Sequence, residues 1–177
     1  MNIPVRDEAE ACANAAFEAL MWALSRPGHI RTMPAAGDAA IVDALIDREC
    51  RVYASEPLLM AHIARAGAEI APPERADHLF LGRVGDAGEL APVAIGSDLY
   101  PDDGATVIAQ ARIGGGSRLR LTGPGVDGSL DIAVGGLPEG FWRKRAAMMR
   151  YPIGFELFLV DGDRLIGIPR STTVEVL

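Results

Sequence analysis

Five residues carry most of the chemistry this sequence can offer: Arg120, Arg145, Arg170, Ser171 and Thr172. A guanidinium offers a planar fork of N–H donors that fits a phosphate or carboxylate, and neighbouring hydroxyls add further donors. Arg170, Ser171 and Thr172 sit in the run Pro169-Arg170-Ser171-Thr172-Thr173, just after an apolar segment of strand length. Ligands of α/β sheets gather at strand ends, which makes this run a candidate anion site. The competing reading is an irregular turn whose hydroxyls cap backbone groups. Arg145 falls inside the apolar sector of a basic helix. There it must pair with an acid, snorkel or hold an anionic ligand, because an unpaired buried guanidinium is costly. A structural ion pair is the expected answer.

Other chemistries fail on their own terms. Gly123-Pro124-Gly125-Val126-Asp127-Gly128 matches GxGxxG, but the segment after it, Ser129 to Gly136, alternates like a strand. A dinucleotide site needs a helix to start there. The one lysine, Lys144, lies outside both glycine clusters, so neither is a phosphate-binding GxxxxGK[ST] loop. Asp98, Asp102 and Asp103 lack the spacing of a calcium loop and read as turn residues. Cys12 and Cys50 are far apart, and His29, His62 and His78 stand singly, so no metal site is expected. No serine lies in a GxSxG elbow.

These residues need elements to hold them. Residues 7–25 place Ala13, Phe17, Leu20, Met21 and Leu24 on one helical stripe, and Pro27 stops the helix. Trp22 lies off that stripe, as a flank residue under a loop or an anchor for a partner chain. A short strand is expected at His29–Met33, then a helix capped by Asp38 through Ile46. A strand at 50–54, a helix from Pro57 to Gly67 and a strand at 78–81 follow, with 91–96 ambiguous. Ala105 to Ala111 read as a strand, and Gly114 to Ser117 as a flexible turn. In Arg118 to Thr122, Leu119 and Leu121 point inward and Arg118 and Arg120 outward.

A basic helix is predicted from Pro138, with Phe141, Trp142, Ala146, Met148 and Met149 on its apolar face. Phe155–Val160 and Arg164–Ile168 then form a hairpin around Asp161-Gly162. The first of those strands is apolar on both faces except at Glu156, as in sheets covered by helices on both sides. The expected fold is therefore a three-layer α/β sandwich with a mixed sheet, and residues 1–177 read as a single domain.

The net charge of −7 argues against broad nucleic-acid binding. No apolar run approaches the roughly 18 residues needed to cross a bilayer, and the acidic N-terminal segment does not read as a signal peptide. A cytoplasmic protein is expected.

Several strings, in order, carry a more specific likeness. They are Leu24-Ser25-Arg26-Pro27-Gly28, Pro101-Asp102-Asp103-Gly104-Ala105-Thr106, Leu119-Arg120-Leu121-Thr122-Gly123-Pro124-Gly125, Tyr151-Pro152-Ile153-Gly154 and the stretch from Ile168 to Val176. On these residues the chain resembles the PhnH family, subunits of the bacterial carbon–phosphorus lyase core complex. The resemblance implies an accessory role in phosphonate catabolism: supporting transfer of a phosphonate to the ribose of ATP, with release of adenine, in the ribose 1-phosphonate 5-triphosphate synthase step. ATP and phosphonate would be substrates of the complex, with no catalytic residue assigned to this chain. It also implies a fold like the large domain of pyridoxal-phosphate transferases, other core subunits as partners, and a homodimer in isolation.

A pyridoxal enzyme needs a Schiff-base lysine. Lys144 lies between two arginines on the polar side of a predicted helix, so no pyridoxal phosphate is expected. The alternatives are a free-standing enzyme or binding protein for a small phosphorylated metabolite, with Arg120, Arg145 or Arg170 on the anion, and a purely structural scaffold.

Overall fold

The computed structural model describes residues 7–177. Asp7 caps the first helix, α1 (Glu8–Ser25), its carboxylate accepting from Glu10 N at 2.7 Å. The helix ends before Pro27 as its sequence requires, but it packs on a different stripe from the expected one. Ala16, Ala19, Leu20 and Ala23 face inward, while Phe17 and Met21 are about half exposed. The cause lies on the strand beneath. A Cβ on Gly167 would lie 2.7 Å from the Ala23 carbonyl carbon and oxygen, so the helix backbone touches the sheet and leaves room only for small residues.

The other α-helices and strands of the described residues are β1 (Arg31–Thr32), α2 (Asp38–Leu45), β2 (Arg51–Ala54), α3 (Pro57–Arg65), β3 (Glu69–Ile70) and β4 (His78–Arg83). After them come β5 (Thr106–Gln110), β6 (Arg112–Thr122), β7 (Leu130–Gly135), α4 (Phe141–Met148), β8 (Glu156–Asp161), β9 (Arg164–Ile168) and β10 (Thr173–Val176). Seven strands form a mixed sheet in the order β1-β9-β8-β5-β4-β2-β3. Its centre, β3 through β8, is parallel, and β9 returns antiparallel to β8. A second, antiparallel sheet has the order β10-β6-β7.

Both faces of the large sheet are buried, as the apolar β8 demands. On one face Val52, Phe80, Ile108, Phe158 and Val160 pack against Leu20, Ile41, Val42 and Ile63 of the three N-terminal helices. On the other, Leu79, Val107, Ala109, Leu157, Leu159 and Ile168 meet Leu119 and Val134 of the small sheet and Phe141 and Trp142 of α4. Each such side chain, fully buried, contributes about 1.5–3 kcal/mol. The architecture is α/β with a mixed sheet, but its second cover is a small sheet with one helix rather than a layer of helices.

Local corrections follow from backbone chemistry. Gly114 to Ser117 are not a turn between strands but an irregular stretch inside β6, where the register with β7 shifts. Asp38 is the first residue of α2 rather than its cap; Gly37, at φ 89°, holds the cap position. The basic helix starts at Phe141, because Gly140 at φ 81° still turns the chain. The β8–β9 turn is centred on Gly162-Asp163, one residue later than expected, with Gly162 at φ 68°.

Candidate functional site

Because β9 is antiparallel to the central strands, its end brings Pro169–Thr173 to their amino edge. There the guanidinium of Arg170 is surrounded by protein acceptors. Its Nε donates to Glu156 Oε1 at 2.5 Å, Nη1 donates to Pro101 O and to Pro152 O, and Nη2 reaches Gly104 O. The backbone N–H of Arg170 donates to the other Glu156 oxygen at 2.9 Å. One arginine thus ties the start of β8 to the 101–104 and 150–154 loops.

Arg145 is buried, as its place in the apolar sector implies, at 2 % exposure. The expected ion pair is absent among the described residues. Its Nη1 donates to Thr172 O at 3.2 Å, and Nη2 donates to Pro169 O at 2.9 Å and Ile168 O at 3.3 Å. Burial pulls its pKa down to about 10, with the charge of Glu156 acting the other way, so the group remains a cation at neutral pH. Thr172 is buried against it, and Ser171 is half-buried. Arg145 Nε and Thr172 Oγ1 bond to no described protein atom.

Arg120 lies apart from this group. It is the cross-strand neighbour of Asp131 in the small sheet and donates to both its oxygens, at 2.8 and 3.0 Å. The pairing raises the Arg120 pKa and lowers that of Asp131. The fold therefore joins Arg145, Arg170, Ser171 and Thr172 around one turn and leaves Arg120 elsewhere.

Distant strings of sequence meet through glycines near that turn. A Cβ on Gly125 would lie 2.5 Å from Ser25 O, one on Gly123 would lie 2.7 Å from Ser171 O, and one on Gly28 would strike the Leu121 side chain. Gly154 is held against the Arg170 stem in the same way. The segments that carried the family likeness thus pack on one another, with glycine required where their backbones meet.

A concave surface lies at the opposite, carboxyl edge of the parallel strands. A cleft of about 640 Å³ is lined there by Gly37 and Asp38 at the start of α2, and by Arg83, Gln110, Arg112 and Asp161 at strand ends. A β-bulge in β4 between Phe80 and Gly82 places Arg83 beside Gln110, which in turn pairs with Val160. Without the bulge Gly82 would occupy that row. Asp161 is engaged by Arg164 at 2.5 Å and by Ile113 N at 3.0 Å. Asp38 keeps one buried oxygen without a partner, and burial, assisted by the charge of Glu56, raises its pKa. The side chains of Arg83 and Arg112 form no hydrogen bond or ion pair with the described residues.

A second cleft of about 500 Å³ shares Arg112 and Gly136 with the first and adds Arg143. Sequence reasoning missed this edge. The available signal was a cation directly after each of two buried runs, His78-Leu79-Phe80-Leu81-Gly82-Arg83 and Thr106-Val107-Ile108-Ala109-Gln110-Ala111-Arg112. Lys144 lines neither cleft. No group of three or more metal-ligating side chains occurs among the described residues, and no helix there is long and apolar enough to cross a membrane.

Comparison with known proteins is consistent along the chain. A putative C-P lyase subunit protein, HtxG, from Stutzerimonas stutzeri is 31% identical over 171 residues, covering 91% of this chain and 85% of its own. The alpha-D-ribose 1-methylphosphonate 5-triphosphate synthase subunit PhnH of Rhizobium meliloti (strain 1021) is 28% identical over 187 residues, covering 92% and 90%. The family model described as bacterial phosphonate metabolism protein (PhnH) matches residues 6–175. With nearly the whole sequence matched, and the quoted strings packed together in the fold, the chain belongs to the PhnH family.

Proposed function

We propose that this chain is an accessory subunit of the carbon–phosphorus lyase core complex. In this reading it supports transfer of a phosphonate to the ribose of ATP with release of adenine, and it works in the cytoplasm beside the other core subunits. The observation that carries the reading is the family match over residues 6–175, together with two relatives that are each named as subunits. The geometry agrees with a structural contribution at the C-terminal turn, where Arg145 and Arg170 are committed to protein acceptors.

We further read the large sheet as the core of a pyridoxal-transferase-like fold without its cofactor, and the isolated chain as a homodimer. A borohydride-reducible imine at Lys144 after incubation with pyridoxal phosphate would refute the first. Sedimentation at the mass of one chain would refute the second.

The functional test is recovery of the tagged chain from cells grown on methylphosphonate as sole phosphorus source. Co-purification of other subunits of the pathway, and loss of growth when the gene is deleted, are the expected results. Recovery of the chain alone, with growth unaffected by the deletion, would overturn the assignment. The other reading is a free-standing enzyme or binding protein for a small phosphorylated metabolite. Turnover by the purified chain without partners would favour the enzyme.

A further inference from the structure

We propose that the carboxyl-edge cleft is a binding site for a phosphate monoester of a small organic molecule, held by Arg83 and Arg112. The site is assigned from the cleft alone and does not depend on membership of a complex.

The argument starts from what the guanidiniums lack. In this fold most arginines with a structural task show their acceptor: Arg51 has Asp77, Arg120 has Asp131, Arg164 has Asp161 and Arg170 has Glu156. Arg83 and Arg112 line the same concave surface with no such acceptor among the described residues. An arginine on a convex surface needs only water. Two in one cleft raise the local anion concentration and offer charge-assisted donors to an oxyanion.

The backbone supports a site here as well. The β4 bulge is the irregularity that brings Arg83 level with Gln110 and Val160, where these side chains line the cleft. Bulges recur where a strand must redirect a side chain towards a ligand. The position, outside the carboxyl ends of β4, β5 and β8, is also where open α/β sheets bind small molecules.

Charge bookkeeping then selects the class of ligand. Of the two acids in the lining, Asp161 is already neutralised by Arg164 and by the N–H of Ile113. Asp38 has Oδ1 closed off from the cleft, and burial raises its pKa, so the two guanidiniums carry the uncompensated charge of the lining. An anion answers that charge, and an oxyanion matches the donor fork of each arginine. The volume of about 640 Å³ is far larger than one phosphate group and suits a ligand with a body attached.

Calorimetry on the intact chain with two probes, glycerol 3-phosphate and inorganic phosphate, tests this. The parent should bind glycerol 3-phosphate more tightly than phosphate. Arg83→Ala and Arg112→Ala should each weaken glycerol 3-phosphate by about tenfold or more, since each removes a charge-assisted contact. Both side chains are exposed, so the variants should melt with the parent. No heat with either probe up to about 10 mM would overturn the proposal. So would equal affinity for the two probes, or binding that survives the double arginine variant.

Discussion

Arg145 meets the cost of burying a charge with three carbonyl oxygens rather than with a counter-ion. The oxygens of Ile168, Pro169 and Thr172 lie at the end of β9 and in the turn after it, so the guanidinium fixes that turn against α4. A planar fork can reach them together; an ammonium cannot. Arg145→Lys should therefore destabilise the protein by about 2 kcal/mol, and Arg145→Ala by about 3–5 kcal/mol, because truncation adds a cavity to the orphaned carbonyls. Urea denaturation would measure both, and a Lys variant as stable as the parent would contradict this account. A second residue-scale expectation concerns His78, the first residue of β4. Burial lowers its pKa below 6.5, with Asp77 and Asp47 acting the other way. The folded chain then resists a proton that the unfolded chain accepts, so stability should fall as pH drops below about 6.5. Asp77 adds a lower limb: burial opposes ionisation, but bonds from the Arg51 side chain and backbone win and lower its pKa. Its contribution is present above the unfolded value of 3.8 and lost as pH falls through the depressed pKa. Stability profiles should show His78→Gln flattening the upper limb and Asp77→Asn the lower. Unchanged profiles would exclude these groups. The burial of Arg145 could be foreseen from its place on the helical wheel; its carbonyl partners could not, because they lie 23 to 27 residues away.

Among the elements, the tightest fit is α1 on β9. Gly167 has an ordinary φ, so what excludes a side chain there is contact: a Cβ would also lie 2.8 Å from Leu24 N. Gly167→Ala should push the helix off the sheet and cost about 2–3 kcal/mol, which a thermal melt would read as a fall of roughly 4–12 °C in Tm. Gly85→Ala is the matched control, since its Cβ would find only the Glu89 carboxylate at 3.6 Å. Equal melting of the two variants would remove backbone contact as the reason α1 buries alanines. The same contact marks how far elements could be read from sequence. The existence of α1, α2, α3 and the β8–β9 hairpin followed from local signals: caps, prolines and alternation. The buried face of α1 did not, because Phe17 and Met21 are excluded by a glycine about 150 residues along the chain. The irregular stretch of β6 also escaped notice. Gly114 to Ser117 have turn composition, and only pairing of Arg112 and Ile113 with β7 keeps them within a strand.

At the scale of the whole molecule, the two edges of the sheet have been given different tasks by the direction of β9. Arg170 looked like a ligand residue because it follows a strand, but that strand runs against its neighbours and delivers it to their amino edge. The carboxyl edge is assembled from Asp38, Arg83 and Arg112, each on a different element, with no local motif to announce it. The two edges should therefore separate in a functional complex. Arg170→Ala removes the bonds that hold the 101–104 and 150–154 loops to Glu156, and these loops flank the exposed side chains of Leu99, Tyr100 and Tyr151. Loss of such an anchor should lower stability and recovery with partner subunits together, since interface loops bind well only when held in place. Arg112→Ala touches no protein acceptor and should leave melting and assembly as in the parent. Co-purification and thermal melts of the two variants, made in parallel, check this. If Arg170→Ala melts and assembles normally yet the complex loses activity, Arg170 contacts a ligand after all, and the amino edge rather than the carboxyl edge becomes the place to look for it.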